Sequence, residues 1–324
     1  MQSPIGLQQN VSLKERSTWK VGGSADFFVE PDSIEQLTCA LAWAAAADHP
    51  VSVLSGGSNV LISDDGVEGL VISMRHLNSV ERGEVVADRF EIQCLAGASK
   101  AELLKRFLKQ KLSPALFLAG LPGDVGGGVV MNAGVGDHVV PREFCEITDW
   151  IEVLPMQNMR RGAFESSDVS SSQPMAMTDE KTSQLVRLSK DQLHWEYRHS
   201  SGWQPGVIVR ACLSWPNTPE PDIMTKIKLA TKKRLSSQPL TQPSCGSTFR
   251  NPEGGKSGQL IEQCGLKGFK VGGAQVSQVH ANFIVTEEGA SAKDVRAVIE
   301  HVQATVKEKT GFELQTEIIL FGRW

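Results

Sequence analysis

The chain has little tyrosine, no long hydrophobic run, no closely paired cysteines and no strong excess of either charge. Tyr197 is the one tyrosine among 324 residues. The longest apolar stretch, near Leu37 to Ala47, falls well short of the roughly 18 residues a spanning helix needs, so no membrane association is expected. Six cysteines are scattered at Cys39, Cys94, Cys145, Cys212, Cys245 and Cys264. None forms a CxxC pair or a zinc knuckle, so no metal site is expected and a reduced compartment is the plain reading. A formal net charge of -4 argues against a protein that coats nucleic acid. The N-terminus, MQSPIGLQQN, lacks a basic start followed by an apolar core, and a cytoplasmic protein is expected. Hydrophobic residues make up 40% and charged residues 22%. Both are ordinary globular values, which excludes a disordered chain, and the length suggests two or three domains.

Along the chain the texture changes twice. Residues Ala25 to Glu30 read as a strand and Ser33 to Ala47 as a helix, with Asp32 or Ser33 as N-cap. Val51 to Leu54 reads as a buried strand that runs into a Gly-rich loop, with further strands at Leu61-Ile62 and Leu70 to Ile72. A strand-rich stretch follows, with Phe90 to Leu95, Trp150 to Leu154 and Val207 to Leu213 as strands and Lys100 to Lys111 as an amphipathic helix. Met156 to Thr182 is rich in serine and reads as a projecting loop or hairpin tip. From Asn217 the pattern gives a helix over Asp222 to Leu235, a strand over Ala281 to Val285, a long helix over Ala292 to Lys309 and a closing strand over Glu317 to Phe321. The expected boundaries are 1–76 with the C-terminal strand 318–324, then 77–216 containing the 156–182 loop, then 217–317.

Several segments carry chemistry. Ser55-Gly56-Gly57-Ser58-Asn59, followed by Val60 and Leu61, sits after a strand. Consecutive backbone N–H groups there can cradle a phosphate, or the segment can be a plain tight turn. It is neither a GxGxxG nor a GxxxxGK[ST] pattern. Residues 120–128 hold five glycines. That density suits no packed core element and suits a backbone wrapped round a large ligand, or a loop with a short Gly-rich helix. Two such loops together point towards a dinucleotide cofactor. Tyr197-Arg198-His199 could clamp a carboxylate, or could simply end a surface strand. Between Pro243 and Pro252, a hydroxyl such as that of Ser247 can relay a proton, Cys245 could instead be a nucleophile, or the segment can be a turn with a buried small residue. Glu317 lies in an otherwise apolar strand, Leu314 to Phe321, where a carboxyl must be paired or protonated, or must face outward. Lys232, Lys233, Arg234, Arg250, Lys256, Lys267 and Lys270 form a basic cluster suited to a diphosphate or carboxylate, or to a solvated helix end.

Taken in order, eight motifs resemble those of the bacterial UDP-N-acetylenolpyruvoylglucosamine reductase (MurB) family. They are Thr18 to Asp26, Ser55 to Leu61, Leu121 to Gly134, Tyr197 to Ser200, Pro243 to Pro252, Gly265 to Ser277, His280 to Val285 and Thr316 to Ile318. The short spacing from Arg198 to the strand at Val207 resembles the type II form, which lacks an extra substrate-capping tyrosine loop.

The resemblance implies an α+β protein of the vanillyl-alcohol-oxidase (PCMH) type, with two α+β subdomains around non-covalent FAD and a third α+β domain over the substrate. It implies a protein acting on a UDP-sugar, with NADPH as co-substrate; a monomer is expected. It places flavin contacts at Ser55, Gly56, Gly57, Ser58, Asn59, Val60 and Leu61, at Gly120, Pro122, Gly123, Gly126 and Gly127, and at Asn132, Ala133, Gly134 and Val207. It matches Arg198, Ser247 and Glu317 to the catalytic positions. Tyr197, Arg234, Arg250, Asn251, Lys267 and Lys270 are the substrate-binding candidates. The implied chemistry is reduction of the flavin by NADPH, hydride transfer from flavin N5 to the enolpyruvyl group, enolate stabilisation by Arg198 and a protonated Glu317, and proton delivery by Ser247. The sequence departs from the family at Gln315-Thr316, in the length of the 156–182 segment and at Val135, where a tyrosine is common. Two rival readings remain at this level: an oxidase of the same superfamily, and a nucleotide-sugar-binding protein on a decayed reductase fold.

Overall fold

The computed structural model describes residues 3–135, 139–156 and 185–324. Most of the serine-rich segment expected to project as a loop therefore lies outside the described residues. The fold is α+β. In the first part, strands Gln8–Ser12, Ser24–Val29, Val67–Ser73 and Val51–Leu54 form one sheet in that spatial order. The first pairing is antiparallel and the other two are parallel. The parallel crossover from Ser24–Val29 to Val51–Leu54 runs through the helix Ile34–Ala46. Ser33 caps that helix by accepting from the Gln36 N–H at 3.2 Å.

A five-stranded antiparallel sheet follows, in the order Glu84–Val86, Arg89–Leu95, Gly206–Pro216, Thr148–Pro155 and Val186–Ser189. Arg89–Leu95 alternates strictly between buried and partly exposed residues, which turns Phe90, Ile92 and Cys94 inward. The helices Lys100–Lys109 and Pro114–Ala119 pack together beside it, and their Leu103, Phe107, Phe117 and Leu118 join one core with the sheet.

The glycines of residues 120–128 correct the expectation that they suit no packed core element and realise the alternative of a short Gly-rich helix. Part of that stretch is a packed helix, Val125–Val130, whose Gly126 and Gly128 are buried. A Cβ on Gly128 would lie 2.5 Å from the Phe144 ring, and one on Gly126 would lie 3.0 Å from the Ala96 Cβ. The missing side chains let the helix sit close against its neighbours.

The third part holds the helices Ile223–Ser237, Ser257–Gln263 and Ala292–Thr310 and a small antiparallel sheet of Lys270–Val271, Ala274–Val276 and Ile284–Thr286. Val295, Val298, Val302 and Val306 line the inner face of the long helix. Trp19 and Leu61 insert into the same core. Trp19 also donates from Nε1 to the Ile284 carbonyl at 2.7 Å.

Two strand expectations are corrected here. Ala281 to Val285 is a strand only from Ile284, because residues before it turn to bond Thr248 and Phe249. The closing strand is Ile319–Phe321, which pairs in parallel with Val60–Ile62. Glu317 lies just before it. Its backbone N–H goes to the Thr248 carbonyl at 2.8 Å, and Thr316 bridges Phe249, so the chain turns towards a different partner there. No helix among the described residues is long and apolar enough to cross a membrane.

Candidate active site

A cavity of ≈ 2980 Å³ opens where the three parts meet. It exceeds the volume that one drug-sized ligand usually fills, roughly 300–1,000 Å³. The two Gly-rich segments form one wall, with residues 55–60, 119–122 and 126–127 on its surface. The segments touch through backbone: a Cβ on Gly56 would lie 2.9 Å from the Gly123 Cα. Gly57 and Gly123 adopt φ of +64° and +84°, and a Cβ on Gly57 would lie 1.9 Å from the Arg16 carbonyl oxygen. Glycine is required by both the torsion and the space. This is a cradle of bare backbone, and its makeup fits a dinucleotide such as FAD.

Of the other expected cofactor contacts, Ala133, Gly134 and Val207 also line the cavity. Leu61 is fully buried in the third part's core. Asn132 is buried behind the wall. There it receives the Cys145 N–H at 3.0 Å and donates to Glu143 at 2.9 Å and to the Glu196 carbonyl at 3.0 Å. Neither lines the cavity.

Arg198 reaches the cavity from a hairpin. Strands His194–Glu196 and His199–Ser201 pair antiparallel, leaving Tyr197 and Arg198 as the two-residue turn. Of the two, Arg198 alone has positive φ, +57°, the torsion that the second central residue of a type II turn adopts. For a non-glycine residue this costs on the order of 1 kcal/mol. Its Nε donates to Glu317 Oε1 at 2.8 Å, and its other nitrogens reach the Gly134 carbonyl at 3.2 Å and Glu143 at 3.8 Å. The Arg198 and Glu317 side chains are each 15% exposed. Of the three conditions open to Glu317 from sequence, the structure realises pairing. The Asn59 side chain donates to the Glu317 carbonyl at 3.1 Å, which ties the first Gly-rich loop to this group.

Ser247 lines the same cavity. Its neighbour Thr248 fixes it: the Thr248 N–H donates to the Asn282 carbonyl at 2.8 Å, and its carbonyl accepts from the Glu317 N–H at 2.8 Å. Asn282 also bonds both backbone groups of Phe249, at 2.9 Å each. Cys245 is enclosed by Thr18 Oγ1 at 3.1 Å and the Val60 carbonyl at 3.5 Å. Burial pushes its thiol up to about 11, which disfavours the thiolate that a nucleophile needs.

The substrate-binding candidates divide. Tyr197, 46% exposed, Asn251 and Arg234 line the cavity. Arg234 also donates to the Ala119 carbonyl at 2.9 Å, which ties its helix to the cofactor wall. Arg250 lies behind the lining, with a buried Nε that has no partner among the described residues. Lys267 and Lys270 are taken up by Glu262 at 2.7 Å and Glu287 at 2.6 Å, and neither lines the cavity.

Three groups escaped sequence reading. Lys100 is buried at the cavity wall, Asp124 accepts from Ser55 Oγ at 3.2 Å, and Glu143 faces Arg198. Lys100 carried only the signal of a helix start.

Known proteins agree with this geometry. The family profile described as "UDP-N-acetylenolpyruvoylglucosamine reductase, C-terminal domain" matches residues 238–321. The one described as "FAD binding domain" matches residues 25–155. The UDP-N-acetylenolpyruvoylglucosamine reductase of Synechococcus sp. (strain RCC307) is 37% identical over 98% of this chain and 95% of its own length. That of Agathobacter rectalis is 35% identical over 99% and 95%. The crystal structure of the Thermus caldophilus enzyme superposes with a TM-score of 0.73 at 27% identity, covering 97% of this chain and 99% of that one. The chain belongs to the UDP-N-acetylenolpyruvoylglucosamine reductase (MurB) family, a family of FAD-binding oxidoreductases.

Proposed function

We propose that the protein reduces UDP-N-acetylenolpyruvoylglucosamine to UDP-N-acetylmuramate, a step of peptidoglycan precursor synthesis, with FAD as cofactor and NADPH as co-substrate. One observation carries the proposal. Arg198, Ser247 and Glu317, from distant parts of the chain, line one cavity with two glycine loops able to cradle a dinucleotide. The two glycine loops would hold FAD non-covalently, and the cofactor would supply hydride transfer between NADPH and the terminal vinyl carbon of the substrate. The chain's own residues handle the charge and the proton. Negative charge then develops on the substrate's carboxylate-bearing carbon and spreads to the carboxylate as an enolate. Arg198 offers a fixed cation there, oriented by Glu317 and Gly134 before the substrate arrives. Glu317 accepts from the Arg198 Nε and holds that cation in place through the step. Ser247 delivers a proton to that carbon as the new C–H bond forms. Serine is a weak acid in water, so the step requires a strongly basic enolate in a site closed to water. Tyr197, Asn251 and Arg234 are proposed to hold the UDP-sugar, while Arg250 supports them from behind. Lys267 and Lys270 lie outside the cavity lining and are not proposed as ligands. We also propose residues 1–76 with 318–324, 77–216 and 217–317 as the functional domains, and a monomer as the working form.

The test is Ser247→Ala. It is expected to keep reduction of bound flavin by NADPH and to lose reoxidation by substrate by roughly 10²-fold or more, the usual weight of a general acid. Unchanged turnover would remove Ser247 from this role.

A further inference from the structure

Lys100 is a lysine on an amphipathic helix, yet its side chain turns inward and the residue is 5% exposed. An ammonium has three N–H donors. Among the described residues its one hydrogen bond goes to the Pro122 carbonyl, at 2.7 Å. It also stands 5.3 Å over the Phe144 ring. A buried cation with unspent donors is costly unless an anion completes it.

Its position identifies the place of that anion. Residues 96–100 run beside residues 123–126, joined by Lys100 N–H to the Gly123 carbonyl at 3.2 Å, Val125 N–H to Ala98 at 2.9 Å and Gly126 N–H to Ala96 at 2.7 Å. The Lys100 ammonium therefore lies at the junction of the two glycine loops. A Cβ on Gly123 would be 3.8 Å from Lys100 Nζ and 2.7 Å from Ser58 Oγ. Lys100 itself lines the cavity.

We infer that Lys100 is a further cofactor-binding residue whose ammonium contacts a phosphate of the bound dinucleotide at the junction of the two glycine loops. The inference rests on the FAD reading above. Phosphate is favoured over the flavin ring because the neighbouring Ser55 to Asn59 turn offers backbone N–H groups, which suit the same anion. Burial holds the ammonium down to about 8, with Asp124 acting to raise it and Arg198 to lower it. A phosphate in reach would offset that desolvation. Asp124 is the group that would repel a phosphate. Burial moves its carboxyl upward, towards the neutral form, while Ser55 and Lys100 pull the other way.

The experiment compares the full-length wild type with Lys100→Met and Lys100→Gln. Each flavin-free protein is checked by thermal melting and titrated with FAD and with riboflavin, which carries no phosphate. Both variants should bind FAD roughly 10- to 100-fold more weakly, a loss of about 1.4–2.8 kcal/mol that matches one charge-assisted contact. Riboflavin affinity should match wild type. Lys100→Gln keeps a donor for the Pro122 carbonyl and carries the test where Lys100→Met does not fold. Unchanged FAD affinity, or equal weakening of riboflavin, would overturn the inference. Wild type that binds no FAD would overturn the underlying FAD reading and this inference with it.

Discussion

Replacing Asn282 with alanine removes the clamp that presents Ser247. The Asn282 side chain accepts from the Phe249 N–H and donates to the Phe249 carbonyl, both at 2.9 Å, in a residue only 5% exposed. Alanine leaves both backbone groups buried without partners. At about 1–3 kcal/mol for each orphaned group, the loss is about 2–6 kcal/mol. The Thr248 N–H bond to the Asn282 backbone carbonyl survives in principle, but the segment loses two of its three ties to this residue. Ser247 then drifts relative to Glu317. A misplacement of about 1 Å can cost on the order of 10²-fold in rate. Chemical unfolding should register the stability loss. Anaerobic stopped flow should find the NADPH half-reaction near wild type and the substrate half-reaction slowed. Asn282→Asp keeps the acceptor and loses the donor, so it should fall between the two. Wild-type stability together with a wild-type second half-reaction in Asn282→Ala would refute the clamp.

Three further outcomes follow from the same geometry. Gly57→Ala must accommodate a φ of +64° and a contact of 1.9 Å with the Arg16 carbonyl oxygen, so it should purify with a much lower flavin-to-protein ratio; a full complement of flavin would contradict the cradle. At pH 8 an aromatic disulfide reagent should modify Cys39 quickly, because it is exposed, and leave Cys245 and Cys212 intact, since burial raises their thiols to about 11 and about 12; fast labelling of Cys245 would show that its enclosure opens. Residues 55–61 contain no histidine that could tether a flavin, so acid should release all of it into the supernatant. Yellow colour held by the precipitate would contradict non-covalent binding.

Local signals carried much of the fold into the sequence. The Ser33 cap and the apolar spacing marked Ile34–Ala46, and Val51 to Leu54 matched its strand end to end. Expectations slipped where a tertiary partner redirected the backbone. Glu317 reads as part of an apolar strand, but its N–H is claimed by Thr248, 69 positions earlier. The glycines of residues 120–128 read as a ligand-wrapping loop or a loop with a short helix, and three of the five build a helix that packs closely because it lacks side chains. The site was legible as motifs and hidden as geometry. Nothing local tells that Arg198 sits at the positive-φ position of a hairpin turn, or that it meets Glu317, 119 residues away, at 2.8 Å. Lys267 and Lys270 looked as suitable as Arg234 because their carboxylate partners lie across the fold or on another turn. Lys100 carried no inward signal, since a lysine at a helix start is ordinarily solvated.

The most direct test of the central claim is a visible absorbance titration of the purified protein without oxygen. NADPH is added first and the enolpyruvyl UDP-sugar second. A flavin band that bleaches with NADPH and returns with the sugar nucleotide is the expected result. A band that bleaches and stays bleached with intact substrate present would contradict the proposed reaction and point to another electron acceptor.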